Sequence, residues 1–179
     1  EEYRDALKRL KERDWRMKTI YITKEQAIDT HRKTILYSGG GDCNIINEGY
    51  LCSALEHIQN DDYYPTFEDK LVHLVWSINR NHSFSDGNKR LSITLSVQFL
   101  SMNGYLFCIS RFLQEMENVS YHLAAGLIDK DLLRDIIHSI IEGELDFDIE
   151  LKSRILCAID NGMCGFDEQN DKGGEWWKV

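Results

Sequence analysis

The chain has 179 residues, 42% of them hydrophobic and 28% charged, enough for one domain that buries roughly 70% of the surface its unfolded form exposes and cramped for two. Lys and Arg number 21 against 30 Asp and Glu, a formal charge of −9, which excludes general affinity for DNA, RNA or anionic membrane and leaves room only for a local basic pocket. One proline and 12 glycines favour long helices over the short, punctuated strands of a sandwich or barrel.

Cys43, Cys52, Cys108, Cys157 and Cys164 are odd in number and contain no Cys-x-x-Cys pair. Neither a disulfide framework nor a zinc ribbon is suggested, and a reducing, cytoplasmic setting is expected. No apolar run approaches the roughly 20 residues that span a bilayer, and EEYRDALKRL has no signal-peptide core. The chain begins at Glu1 rather than Met, as a fragment of a longer protein would.

Residues 1–18 mix both charge signs with Tyr3, Leu7, Leu10 and Trp15, the thin apolar stripe of a solvated helix. Ile20 and Ile22 alternate briefly, as one arm of a minor two-stranded ribbon would. Thr23 with Gln26 then forms a capping-box signature, predicting a helix to about Tyr37. SGGGDCNII at 38–46 is too rich in glycine for a helix and lacks the Lys-Ser/Thr of a P-loop, so it is read as a connector. A helical period resumes over 47–58 and breaks at HIQNDDYYP. Thr66, with Asp69 as a weaker box partner, opens a helix whose Phe67, Leu71, Leu74, Val75 and Ile78 share one face. Residues 89–102 are apolar on several sides, which places that helix in the middle of a bundle, and Asn103-Gly104 ends it. Further helices are expected at 110–126, 130–142 (opened by Asp129, closed by Gly143) and 147–160, followed by a polar tail carrying Trp176-Trp177. The fold class is therefore all-α: an N-terminal helical extension over 1–19, one domain over 20–160 and a C-terminal tail over 161–179.

One stretch departs from bundle logic. Asn81 to Arg90 (NHSFSDGNKR) lies between the two most apolar helices and gathers an imidazole, a carboxylate, amides, two cations and a glycine at a helix entrance. A helix N-terminus offers unpaired N–H groups and partial positive charge, so it takes anions. Gly87 lets backbone amides approach a ligand, and Asn88, Lys89 and Arg90 add donors. Asp86 supplies a hard oxygen ligand for Mg²⁺ when phosphate and water fill the remaining positions. His82 is the side-chain type that takes a proton from a hydroxyl at neutral pH. Proton acceptor, metal ligand and anion cradle are the parts a phosphoryl-type transfer requires. His31, His57, His73, His122 and His138 have no metal-ligand spacing and are read as structural, as is Trp76.

The run His82-Ser83-Phe84-Ser85-Asp86-Gly87-Asn88-Lys89-Arg90 resembles the motif His-x-Phe-x-Asp/Glu-Gly-Asn-Gly/Lys-Arg of the Fic/Doc (Fido) family. The Arg-Asn-His end of the preceding helix, LSVQFLSMNGY downstream, IIHSIIEGELD at 136–146 and the opening YITKEQAIDTHRKTILYSGG resemble its death-on-curing (Doc) branch, so the likeness covers about 20–145. It implies a compact helical fold and transfer of part of ATP or another nucleoside triphosphate, with Mg²⁺, to a hydroxyl of a protein substrate, a translation factor among the candidates. His82 would be the general base, Asp86 the Mg²⁺ ligand, and Gly87, Asn88, Lys89 and Arg90 the nucleotide-phosphate cradle. Lys89 stands where AMP transferases have glycine and the Doc branch has lysine, the branch associated with reversed nucleotide and γ-phosphate delivery. Gly87 is the residue of AMP-transferring members, where Doc has alanine. Phosphotransfer is slightly favoured, AMP transfer is the alternative, and a non-catalytic nucleotide- or partner-binding module is the second alternative.

Many relatives carry an inhibitory Ser/Thr-x-x-x-Glu-Gly/Asn helix whose glutamate pairs with the motif's last arginine. Glu48-Gly49 and Glu142-Gly143 supply the final pair, but Asn44 and His138 stand where Ser or Thr is needed. The resemblance therefore implies restraint by a separate antitoxin-like partner. HIQNDDYYPTF, where the family often has a substrate-binding flap, lacks two alternating runs and is read as a plain helix-to-helix loop.

Overall fold

The computed structural model describes residues 18–166, with side chains to 160. The expected N-terminal helix and the end of the tail, Trp176-Trp177 included, lie outside the described residues. Seven α-helices are present among those described: α1 Lys24–Tyr37, α2 Glu48–His57, α3 Phe67–Arg80, α4 Asn88–Met102, α5 Ile109–Ala124, α6 Lys130–Ile141 and α7 Ile149–Phe166, with a 3₁₀ turn Leu106–Cys108 before α5. No helix among them is long and apolar enough to cross a membrane.

Local signals set most helix starts. Thr23 and Thr66 each form a complete capping box, with Gln26 and Asp69, and Asn47 and Asp129 cap α2 and α6 through their side chains. The helices then assemble by burying apolar faces. α3 and α4 are the hub: α3 packs on α2, α4, α5 and α6, while α4 also carries α1 and α5. Leu71, Leu74, Val75 and Ile78 of α3 and Leu91, Leu95, Phe99 and Leu100 of α4 are fully or almost fully buried. Phe67 stacks on Phe99 at 4.8 Å and on Tyr105 at 4.2 Å, closing the core at the far end of α4.

Polar contacts tie the helices at defined heights. Thr30 Oγ1 donates to Gln98 Oε1 at 2.7 Å, and the Thr34 and Thr94 hydroxyls meet at 2.9 Å, fixing α1 along α4. The buried Asn79 amide donates to Ser120 O at 3.0 Å and Ser92 Oγ at 3.3 Å, and Arg80 Nη1 donates to Leu123 O at 2.9 Å. The last turn of α3, from which the motif loop departs, is thereby anchored to α4 and α5.

The anticipated ribbon does not form around Ile20–Ile22. The Asn103 side chain accepts from Ile20 N–H and donates to Ile20 C=O, both at 2.9 Å, so this segment needs no partner strand. The only strand-like pairing among the described residues is one antiparallel bridge, Ile45 with Phe84. It brings the 38–47 loop onto the motif.

Candidate active site

The chain leaves α3 at Asn81, whose N–H reaches Ser77 O at 3.0 Å. His82 follows at φ +48°, the one non-glycine residue in the left-handed region among those described. An L-residue there costs roughly 1 kcal/mol, and such strain collects at functional positions. It turns the chain sharply enough to leave the His82 imidazole exposed while Ser83 and Phe84 are buried immediately after it.

Phe84, 1% exposed, anchors the loop in the core. Asn88 grips the main chain of the same residue from both sides, donating from Nδ2 to Phe84 O at 2.7 Å and accepting from Phe84 N at 3.1 Å. Its side chain is thus committed to the loop, and what it presents towards a ligand is its backbone N–H at the first turn of α4.

Gly87 is the N-cap of α4 at φ +79°, and α4 has no side-chain cap. A Cβ on Gly87 would lie 2.6 Å from Ile35 Cδ1 and 3.3 Å from His31 Nε2, so the turn is moulded against α1. No acidic residue stands in the first turn of α4; Lys89 and Arg90 do. This end of the helix therefore adds two side-chain charges to the positive end of its own dipole, an arrangement that favours an anion.

Asp86 projects beside this opening. Its Oδ1 accepts from Gly87 N at 2.6 Å and its Oδ2 from Arg90 Nη2 at 3.1 Å. The pair is substantially exposed, with side chains 49% and 34% accessible, so it is worth under about 1 kcal/mol and separates readily. Arg90 Nη1 also donates to Ser38 Oγ, which in turn donates to Thr34 O at 2.6 Å. Lys89 turns the other way: its ammonium lies 5.1 Å from the Tyr121 ring centroid, on α5.

The donor set fits a magnesium ion in one respect. Asp86 is a half-exposed carboxylate, and among the described residues no cluster of three or more His, Cys, Asp or Glu groups supports it. An ion here would take one protein oxygen and fill its other positions with phosphate and water, the usual habit of Mg²⁺.

Sequence reasoning missed the contribution of the 38–47 segment. This loop is indeed a connector, but it lies across the motif: Ile46 and Asn47 N–H donate to Ser83 O at 2.9 and 3.1 Å, and Ser85 N–H donates to Asn44 O at 3.0 Å. Gly41, at φ +142°, passes so close that a Cβ would sit 2.4 Å from Asp86 Oδ2. The glycine run was the available signal, because a close approach to another group is one reason a loop needs glycine. By contrast, the 57–66 loop belongs to the opposite end of α3. That helix of 14 residues is about 20 Å long, and Lys70 holds the loop by donating to Asp61 Oδ1 and Tyr64 O, each at 2.6 Å.

His31, grouped with the other histidines as structural for want of metal-ligand spacing, is the second omission. It is fully buried on α1, between Ala27 and Ile35 on the same stripe. Nε2 lies 2.8 Å from Asp86 O, and the ring stacks on Phe84 at 3.7 Å. Burial holds its pKa below the ordinary imidazole value, against the opposing pull of the Asp86 carbonyl.

A groove of about 660 Å³ opens beside Arg90, between α1, α4 and α5, lined by Thr34, Tyr37, Ser38, Ile93, Leu113 and Glu117 among others.

The profile of the Fic/DOC family matches residues 21–100. Toxin Doc of Mycolicibacterium smegmatis is 30% identical over 108 residues, covering 56% of this chain and 83% of that protein. No solved structure matches significantly. Taken with the motif, its helical setting and the extent of that alignment, these matches establish that the chain belongs to the Fic/Doc family.

Proposed function

We propose that this protein transfers part of a nucleoside triphosphate, with ATP the first candidate, to a hydroxyl of a protein substrate. The observation that carries the reading is the uncapped, cation-bearing N-terminus of α4, with Asp86 beside it and the strained His82 on the same loop. His82, exposed on that loop, takes the proton of the attacking hydroxyl. The N–H groups of Asn88 and Lys89, together with Arg90, hold phosphate oxygens, and Gly87, whose own N–H is taken by Asp86 Oδ1, keeps their approach clear of a side chain. Asp86 would hold Mg²⁺, which there would neutralise phosphate charge. When a nucleotide enters, the Asp86–Arg90 ion pair parts and each member acquires its own partner.

Phosphotransfer is the form favoured here, with AMP transfer as the alternative. Lys89 supports it, as a charge at the position that is glycine in AMP transferases, and so does the likeness to a protein named Toxin Doc. Restraint would come from a separate antitoxin-like chain. The groove beside Arg90 offers such a chain a seat from which a carboxylate could replace Ser38 on the guanidinium.

ATP labelled separately at the α- and γ-phosphates tests the reading on a cell lysate. Label from the γ position on a protein indicates phosphotransfer, and label from the α position indicates AMP transfer. Neither label, with nucleotide still bound, supports the non-catalytic module instead. His82→Ala should lower labelling by at least about a hundredfold while leaving ATP affinity within about threefold; full activity in that variant removes the general-base assignment.

A further inference from the structure

We propose that His31 is a positioning residue of this site: it fixes the Asp86–Gly87 peptide, and through that peptide both the carboxylate assigned to Mg²⁺ and the turn from which the anion cradle at the start of α4 is built. The inference rests on the nucleotide-site reading above and extends it to a residue outside the motif.

An imidazole on the buried Ala27–His31–Ile35 stripe is a poor way to fill a core, since a buried nitrogen is costly unless it is bonded. Leu or Phe would fill the same space without that cost. His31 uses one nitrogen only. Asp86 O can only accept, so the 2.8 Å contact requires the proton on Nε2 and leaves Nδ1 bare. Nδ1 has no hydrogen-bond partner among the described residues. The tautomer is therefore selected for the bond to Asp86 and for nothing else.

The ring itself is held. It stacks on Phe84 at 3.7 Å and 18°, and Asn88 clamps the Phe84 main chain in both directions. Behind Gly87, Ile35 one turn along α1 completes the wall. Against this wall the Asp86 carbonyl has one direction in which to point. Its direction sets the plane of the following peptide, whose N–H meets Asp86 Oδ1 at 2.6 Å. If the carbonyl were released, the peptide could rotate, the Gly87 N–H would leave the carboxylate, and only Arg90 at 3.1 Å would still orient it. A single hydrogen bond from α1 therefore governs two parts of the site at once.

Two substitutions in the full chain separate positioning from packing. His31→Phe keeps the ring and the stack but removes the N–H; His31→Gln restores a donor at similar reach without the aromatic ring. The measurements are amide hydrogen exchange at Gly87, with Leu95 and Phe99 of the same helix as references, and the Mg²⁺ concentration that half-saturates ATP binding in calorimetry. In His31→Phe, Gly87 should exchange about tenfold faster, with Leu95 and Phe99 unchanged, and the Mg²⁺ requirement should rise about tenfold. His31→Gln should bring both back to within about threefold of the native chain. Unchanged Gly87 protection in His31→Phe overturns the proposal. So does a parallel loss of protection at Gly87, Leu95 and Phe99 in both variants, which would make His31 a packing residue. A native chain that binds no nucleotide at any Mg²⁺ concentration defeats the functional reading, while the exchange data still decide whether His31 holds the turn.

Discussion

The N-termini of α3 and α4 are built on opposite principles. At α3, Thr66 and Asp69 close a reciprocal capping box, and Glu68 and Asp69 place negative charge in the first turn. At α4, a left-handed glycine leaves the first turn without a side-chain cap or an acid, and Lys89 and Arg90 stand there instead. Each acid near a helix N-terminus stabilises by roughly 0.3–1 kcal/mol, and each cation there destabilises by a similar amount. The two ends therefore differ by a few kcal/mol of local stability, within one molecule and one continuous pair of helices. α1, α2 and α6 follow the α3 pattern, each with a side-chain cap and an acid in its first turn. α5 also lacks a side-chain cap and a first-turn acid, but it continues directly from the 3₁₀ turn Leu106–Cys108; the open end of α4 stands on the motif loop, where the proposed function gives it an anion as partner.

Arg90→Glu breaks this contrast most severely. It gives α4 the acid that α3 has and removes the bidentate donor for phosphate, so ATP affinity should fall more than about a hundredfold. The fold should persist, because Arg90 is partly exposed and its ion pair is worth little. Affinity within tenfold of native, measured by calorimetry, would refute the cradle assignment.

The α3 half carries its own liability. His73 is nearly buried, against Ser77 Oγ at 3.2 Å on Nε2 and Lys130 Nζ at 3.5 Å on Nδ1, with His57 and Tyr64 packed on its ring. Burial, then Lys130, then His57 push its pKa down to about 4. An unfolded histidine titrates near 6.5, so between these values the unfolded chain binds the proton and the folded chain does not. The contribution of His73 is fully present above about pH 6.5 and lost as pH falls through 4, a loss on the order of 3 kcal/mol. In denaturant titrations between about pH 4 and 6.5, the unfolding free energy of the native chain should rise with pH more steeply than that of His73→Gln; identical slopes would exclude His73 as the source.

Thr66→Ala is the counterpart of Arg90→Glu with a smaller effect. Losing the box should cost about 1 kcal/mol of unfolding free energy and leave labelling within about twofold, because the cap lies a helix length from His82. A large loss of activity would mean that the two ends of α3 are coupled.

The same contrast explains what the sequence disclosed. Caps, helix spans and the motif were legible because each depends on residues a few positions apart: Thr23 with Gln26, Thr66 with Asp69, Asn103 with Gly104. The requirement for Gly41 arises from Asp86, and the role of His31 from a carbonyl 55 positions away. No local rule reports such a contact. His31 did leave a trace, as a nitrogen on an otherwise apolar stripe, but a solitary histidine there is more often a satisfied core residue. Lys70 is hidden for the same reason. It is only 2% exposed, and its place on the inner side of α3 makes sense only once Asp61 and Tyr64 O are seen to receive it.

Lys89 tests the contrast with the smallest change in stability. Its charge at the positive end of α4 is unfavourable by roughly 0.3–1 kcal/mol. Its position over Tyr121, 5.1 Å from the centroid, returns about 0.5–1 kcal/mol at an exposed site. The two terms nearly cancel, so Lys89→Gln should shift unfolding free energy by less than about 0.5 kcal/mol. Tyr121→Leu leaves the cation uncompensated and should cost about 0.5 kcal/mol more than Lys89→Gln does. A residue that is neutral for the scaffold is free to be selected by the nucleotide. If Lys89→Gln melts like the native chain yet moves the ratio of γ- to α-phosphate label, the charge serves the direction in which the nucleotide lies. If it melts more than about 1 kcal/mol differently and leaves the ratio fixed, Lys89 belongs to the scaffold, and the direction of transfer is set elsewhere on the loop.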